Sequence, residues 1–383
     1  MADSTTTIHA RCQCNTFHLS LTYPTSSLPH ARSLCLCSSC RHLSGTSAGG
    51  SYIPLPGALQ ETPPATSALT AYQTSERITR YFCSTCGAQS LAFIHPIKRW
   101  SVATGLLDRT EGIVEWRGTK YLSGTVDGGV SEWFPGEQVG ADGSGRSQLQ
   151  MQRYLEQDTP GQEMHAGHEW KEMQDIKKGE DILKASCHCR GVQFHITRPT
   201  PESRKAHALF SDMIVPFHNK DLSPENPQHE PWFLRNANGD SVREGDDVSK
   251  ARYMAGLCTC VSCRRSLGCE FQSWAFVPRV NIVYGSMATL KRYESSPDVV
   301  RSFCGTCGAT VFWESLGPSR YDVVDVSTGL LDPEQGARVE DWLDWWTGRV
   351  SFREDAVSTS LVEAVEEGLK SWGKERKEKR ISE

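Results

Sequence analysis

A mainly β fold, built twice in tandem, is what the sequence predicts, and three observations predict it. A frame of seven cysteines occurs twice, first as Cys12, Cys14, Cys35, Cys37, Cys40, Cys83 and Cys86, then as Cys187, Cys189, Cys258, Cys260, Cys263, Cys304 and Cys307. The residues between them repeat as well: RYFCSTCGA from Arg80 mirrors RSFCGTCGA from Arg301, and VATGLLD from Val102 mirrors VSTGLLD from Val326. Within each copy apolar residues alternate with polar ones, the period of a strand with one buried face. Self-similarity of this extent marks two copies of one folding unit, and 383 residues is a length suited to two domains.

Each element follows from local pattern. Phe17, Leu19 and Leu21 alternate after the first C-x-C, as do Val192, Phe194 and Ile196 after the second. Ser51–Pro54 and Trp274–Pro278 are short apolar runs ended by proline, and Tyr321–Val326 is rich in β-branched residues, so all three read as strands. Ser38–Gly45 and Ser262–Gly268 fit about one helical turn. No strong helical periodicity occurs inside either unit. The units are placed at 8–135 and 182–356.

Three regions lie outside the repeat. Residues 136–181 are polar and rich in Gly, Gln and Glu, and read as a linker in which Gln148–Gln157 fits a helix. In the first copy 21 positions separate Cys14 from Cys35, whereas 69 separate Cys189 from Cys258, so the second copy carries an insertion at about 199–250. Its Pro-, Asn- and acid-rich composition predicts a mobile loop or a lid. The tail, 357–383, alternates apolar and charged residues and ends in KERKEKR; a solvated helix is expected, with a weak anionic-surface contact as the other reading.

The formal net charge of −5 gives no basic field for nucleic acid, and no apolar run reaches membrane-span length. The opening MADSTTTIHARC has neither a basic nor an apolar stretch of the secretory type, so a cytoplasmic, reducing location with free thiols is expected. A C-x-C disulfide would be strained. The spacing also lacks the clustered runs of ferredoxins, and each C-x-x-C has partner cysteines, unlike a redox pair. Zinc is the remaining candidate for these cysteines to bind, up to four ions per chain.

The seven thiols divide by chemistry. C-x-x-C followed by Gly87 or Gly308 forms a tight knuckle, and the early C-x-C supplies the partner pair. Cys12, Cys14, Cys83 and Cys86 are therefore paired as one four-ligand structural site, and Cys187, Cys189, Cys304 and Cys307 as the other. Cys35, Cys37 and Cys40, and likewise Cys258, Cys260 and Cys263, hold a metal with one position open to water or a substrate thiol. His42 could close the first of these sites, but its counterpart is Arg265. An open zinc lowers the pKa of a bound thiol, which makes these six cysteines the candidate catalytic residues.

CTCVSCRRSLG from Cys258, SFCGTCGA from Ser302, and their counterparts CLCSSCRHLSG from Cys35 and YFCSTCGA from Tyr81 resemble the glutathione-dependent formaldehyde-activating enzymes. That family is also grouped with the centromere-protein-V domain. The resemblance covers Ile8–Pro135 and Leu183–Ala356. It implies a complex, mostly β, Mss4-like fold, with a structural zinc on C-x-C plus C-x-x-C and a second zinc on C-x-C-x-x-C. The implied activity is the joining of glutathione to formaldehyde, classed as a carbon–sulfur lyase, with glutathione as co-substrate. The chain departs from a minimal member in its duplication, in its insertion, and in Asn15-Thr16 where the second copy has Arg190-Gly191.

Arg41 and Arg264 follow the third open-site cysteine in each copy and are candidates to offset the anionic centre or hold a substrate carboxylate; a surface salt bridge is the plain alternative. Thr104-Gly105 and Thr328-Gly329 fit turns that end core strands, Asp108 and Asp332 fit turn caps, and Trp342, Trp345 and Trp346 fit a core cluster. His188 is expected to face solvent, and Cys269 to be a small buried residue. Two functions compete. One is an enzyme acting on a small-molecule thiol adduct; the other is a non-enzymatic module presenting zinc-stiffened surfaces to a protein partner. The oligomeric state is not encoded in these patterns.

Overall fold

The computed structural model describes residues 3–61, 64–134, 149–159, 162, 164, 181–332, 334 and 336–382. The first unit contains β1 (Thr5–Arg11), β2 (His18–Pro24), β3 (His30–Cys35), α1 (Ser38–Ser44), β4 (Tyr52–Pro54) and α2 (Gly57–Glu61). β5 (Leu69–Ser75), β6 (Ile78–Cys83), β7 (Gln89–Ile94), β8 (Arg99–Ala103), β9 (Val114–Lys120) and β10 (Gln152–Arg153) complete it. β1 and β2 form a hairpin, β9 lies between β10 and β3 in a three-stranded sheet, and the main sheet runs β4-β8-β7-β6-β5. Ile8 and Ala10 on β1 and Leu21 and Tyr23 on β2 point into the core, the expected period of two.

The second unit begins with β11 (Ile182–Ser186), β12 (Gln193–Thr197), β13 (Leu234–Arg235) and β14 (Arg252–Cys258). α3 (Val261–Leu267), β15 (Gln272–Pro278), β16 (Ile282–Tyr284) and β17 (Leu290–Ser296) follow. β18 (Val299–Cys304), β19 (Thr310–Ser315), β20 (Val323–Ser327) and β21 (Leu343–Trp345) precede α4 (Thr359–Ser382). Its main sheet runs β13-β14-β15-β20-β19-β18-β17, with β21 parallel to β14. The strand expectations at Phe17–Leu21, Ser51–Pro54, Val192–Ile196, Trp274–Pro278 and Tyr321–Val326 all meet strands here. The two helical turns are α1 and α3, each ended by a left-handed glycine, Gly45 or Gly268.

Four expectations are corrected. Within 149–157 the chain makes β10, parallel to β9, with Met151 and Tyr154 buried, rather than a helix; Gln148 lies outside the described residues. The insertion packs as part of the unit. Trp232, Phe233 and Leu234 are fully buried, β13 pairs with β14, and the Trp232 indole donates to the Ala208 carbonyl. One apolar triplet inside a polar segment suffices because it adds to an existing core. The tail is helical, but Leu361, Val362, Ala364, Val365 and Leu369 bury one face, and Trp372 meets Trp133 of the first unit edge to face. His188 bonds through Nδ1 to the Tyr72 hydroxyl, 2.8 Å away in the other unit, rather than facing water.

The two units pack reciprocally. Gly105 N donates to the Gly268 carbonyl, and Gly329 N to the Gly45 carbonyl. A side chain at Gly105 would overlap the Cys269 backbone, and one at Gly329 the Thr46 backbone. The TGLLD glycines therefore permit a backbone-to-backbone approach between units. Trp342 and Trp345 are core residues, and Asp127, buried, accepts from Ala337 N and Arg338 N across the interface.

Two tests follow from this interface. A side chain at Gly368 in α4 would overlap the Trp133 carbonyl. Gly→Ala inside a helix ordinarily gains about 1 kcal/mol, yet here Gly368→Ala should lower the urea midpoint; a rise would mean that α4 docks elsewhere. Glu270, wholly buried between the units, has its carboxyl pushed up to about 7 by desolvation, partly offset by Arg264 and the Thr104 hydroxyl. The folded form thus holds a proton that the unfolded chain releases from about pH 4.5 upward, so stability falls as pH rises through that window to 7. Glu270→Gln should match the parent near pH 4 and exceed it at pH 8 by on the order of 3 kcal/mol in urea unfolding. Equal pH profiles would exclude this carboxyl.

Candidate metal and thiol centres

Each four-cysteine set is assembled by two turns. The hairpin loop between β1 and β2 brings in Cys12 and Cys14: Cys12 N bonds to the Phe17 carbonyl, and Phe17 N donates to Cys12 Sγ. The turn from β6 to β7 brings in Cys83 and Cys86, and Gly87, at φ +80°, closes it by donating to the Cys83 carbonyl. The second unit repeats this with Cys187 and Cys189 on the β11–β12 loop and Cys304 and Cys307 between β18 and β19. Gly308 there has φ +77°. Asn15 and Arg190, one residue past each C-x-C, both take φ +60°, a left-handed position that Asn tolerates better than Arg.

The donor sets suit zinc. Within each set the sulfurs lie within 4.8 Å of one another. Cys14 and Cys83 Sγ are 3.5 Å apart, as are Cys189 and Cys304 Sγ. A tetrahedron with Zn–S of about 2.3 Å needs sulfurs about 3.8 Å apart. All fifteen cysteines are free thiols. Cys12 and Cys307 are pushed up by hydrogen bonds to neighbouring thiols first, with burial and the neighbours' charge adding, and a divalent cation removes the cost of ionising four such thiols together.

The three-cysteine sets sit where a strand enters a helix. Cys35 ends β3 and Cys258 ends β14; Cys37 and Cys260 are the N-caps of α1 and α3, their sulfurs accepting from Cys40 N and Cys263 N. A helix start favours negative charge on those sulfurs, yet hydrogen bonding to Cys40 or Cys263, together with burial, leaves Cys37 pushed up to about 11 and Cys260 to about 12. Cys40 and Cys263 are held well below the usual thiol range by hydrogen bonds from their two neighbouring thiols, aided by an arginine charge. That arginine is Arg80 in the first unit, 3.3 Å from Cys40 Sγ, and Arg301 in the second, 3.6 Å from Cys263 Sγ.

Sequence reasoning missed both, although each stands three residues before the C-x-x-C in both copies. Arg41 and Arg264 are buried with their guanidinium groups on backbone carbonyls rather than on the sulfurs. Arg264 donates to the Leu107 carbonyl of the other unit at 2.8 Å, and Arg41 Nε donates to the Leu36 carbonyl at 3.2 Å. His42 bonds to the Ser186 carbonyl rather than joining the first cluster. Cys269 is buried.

A cavity of about 430 Å³ opens onto the second cluster and is lined by Cys258, Cys260 and Cys263. One wall is a cross-strand row: Arg301 on β18 pairs with Trp313 on β19, Trp313 with Asp325 on β20, and Asp325 with Phe276 on β15. The insertion forms another wall through Asp212, Met213 and Phe217. Asp212 is fixed by Arg349 and by the amides of Phe217 and Phe352. Asp325 is pushed up to about 6 by burial, offset by Arg320, which lies 2.6 Å away and over the Trp313 ring.

The two kinds of centre should respond differently to mutation. Cys307→Ser removes one of four ligands that close a fold, so the second unit should lose one zinc by elemental analysis and melt early. Cys260→Ser keeps a competent N-cap, so zinc should be lost there with the melting temperature nearly unchanged. Equal melting losses would contradict the division.

The second centre's C-x-C, Cys187 and Cys189, is carried far from Cys258 by the insertion, yet folding returns it to Cys304 and Cys307. No curated protein matches the chain. A family model described as glutathione-dependent formaldehyde-activating enzyme matches residues 7–118 and 247–349, more than half of the chain and one stretch in each unit. The chain belongs to the glutathione-dependent formaldehyde-activating enzyme family, in a tandem form.

Proposed function

We propose that the protein is a zinc-dependent carbon–sulfur lyase-type enzyme that makes or breaks the adduct of a thiol, glutathione being the first candidate, with a small carbonyl compound or other electrophile. The observation that carries this is the cavity bounded by the three sulfurs of Cys258, Cys260 and Cys263. A domain that only needed stiffening would need only its four-cysteine clamp. Cys35, Cys37 and Cys40 form the corresponding set in the first unit. Zinc on three thiolates would supply Lewis acidity that keeps an added thiol ionised near neutral pH.

The chain's own groups do the rest. Arg301 places positive charge beside Cys263, which limits the negative charge of the cluster and favours an incoming thiolate. Arg41 and Arg264 add buried positive charge near Cys37 and Cys260. In the forward direction a sulfur–carbon bond forms, the carbonyl π bond opens, and the thiol proton ends on the carbonyl oxygen; the reverse returns both reactants. Low-dielectric walls of Trp274, Phe276 and Trp313 exclude competing water. A reducing compartment such as the cytoplasm, zinc at all four centres and a small-molecule partner belong to this reading. Among the described residues no helix is long and apolar enough to cross a membrane.

Glutathione added to the zinc-loaded chain should bind with release of about one proton per site, read by calorimetry in buffers of different ionisation enthalpy. Cys260→Ser should remove the second-unit component. Absence of thiol binding in fully loaded protein would overturn the proposal.

A further inference from the structure

The two copies differ where the sheet faces the cluster. In the second unit the cross-strand row reads Arg301, Trp313, Asp325, Phe276. The same register in the first unit reads Arg80, Ala92, Ser101, Pro54, because Arg80 pairs with Ala92, Ala92 with Ser101, and Ser101 with Pro54. The arginine that reaches the third cysteine is kept, while the three positions beside it change from small residues to two aromatic rings and a carboxylate. The aromatic position two residues earlier on the same strand is shared, as Tyr52 and Trp274.

The rings are held in place. Arg320 stands over Trp313 at 4.7 Å and over Phe276 at 5.6 Å, and its ion pair with Asp325 is part of the same row. Elsewhere in the lining Phe217 of the insertion meets Phe352 edge to face, 5.6 Å between centroids. An insertion absent from the first copy thus adds a further ring to the cavity beside the second cluster.

Size points the same way. The cavity measures about 430 Å³, within the roughly 300–1,000 Å³ range of pockets that enclose organic ligands. Aromatic walls are matched by aromatic ligands, through offset or edge-to-face ring contacts.

We propose that the second-unit cavity seats an aromatic aldehyde as the electrophile half of the thiol adduct, its ring against the wall that Trp313 and Phe276 form with Arg320, and its carbonyl carbon toward the Cys258–Cys260–Cys263 cluster. This rests on the thiol-adduct reading above. The step balances without an oxidant: the thiol sulfur bonds to the aldehyde carbon, the π electrons pass to oxygen, and the thiol proton goes to that oxygen.

Phenylmethanethiol reproduces the ring–carbon–sulfur spacing of such an adduct and is the probe. Its affinity for the zinc-loaded full chain is compared with that of 2-mercaptoethanol by calorimetry. The ring-bearing thiol should bind at least about tenfold tighter. Trp313→Ala should abolish most of that preference, read as the ratio of the two affinities, and Trp313→Phe should retain it. A melting curve with the parent midpoint shows that the variants are folded; if Trp313→Ala misfolds, Phe276→Ala takes its place. Equal affinities for the two thiols, or a preference that survives both alanine variants, would overturn the aromatic assignment and leave the thiol reading standing. Failure of both thiols to bind would overturn both.

Discussion

Convergence of four sulfurs on one point is the constraint on which the rest of this structure depends. It ties the hairpin loop that carries Cys12 and Cys14 to the knuckle that carries Cys83 and Cys86, and repeats the tie at Cys187, Cys189, Cys304 and Cys307. Each tied loop then rests on the opposite unit. His188 N donates to the His42 carbonyl at the end of α1, and Gln13 Nε2 donates to Ser262 in α3. Those helices carry the three-cysteine clusters. A clamp in one unit therefore helps position the thiol centre of the other, and the chain is one cooperative body more than two beads on a string.

Electrostatics follows the same reciprocity but not the same residues. Ser47 bonds to Thr328 across the interface at 2.7 Å, and the mirror contact joins Glu270 to Thr104 at 3.2 Å. One side of the pseudo-symmetric seam is neutral and the other holds a carboxyl that burial keeps protonated into the neutral range. The Asp325–Arg320 pair beside the second cluster has no counterpart in charge, since Ser101 stands where Asp325 does.

What the sequence made legible was whatever depends on neighbours along the chain. Cysteine spacing announced the four clusters, alternation announced β2 and β12, and Gly87 and Gly308 announced their left-handed turns. What stayed hidden depends on neighbours in space. Arg80 and Arg301 recur openly, but only the strand register turns them toward Cys40 and Cys263. Trp313, Asp325 and Phe276 are unrelated in sequence, and the order β19-β20-β15 makes them adjacent. The insertion looked unable to order itself, and by itself it offers few apolar residues; Trp232, Phe233 and Leu234 order it by joining a core already formed by β14. Charges along α4 suggested a solvated helix because the ring of Trp133, which covers it, lies in the other unit.

Joining both copies in one polypeptide removes a restriction that symmetric dimers carry. When two identical subunits pair, a substitution at the thiol centre is imposed on both centres at once, and any harm to the seam is doubled. Here Ala92 and Trp313 occupy equivalent places and are encoded separately. One centre is free to keep small walls while the other gains rings and a covering segment, and the seam built on Gly45, Gly105, Gly268 and Gly329 is left untouched. Covalent duplication thus lets the scaffold stay conserved within the molecule while its two chambers diverge.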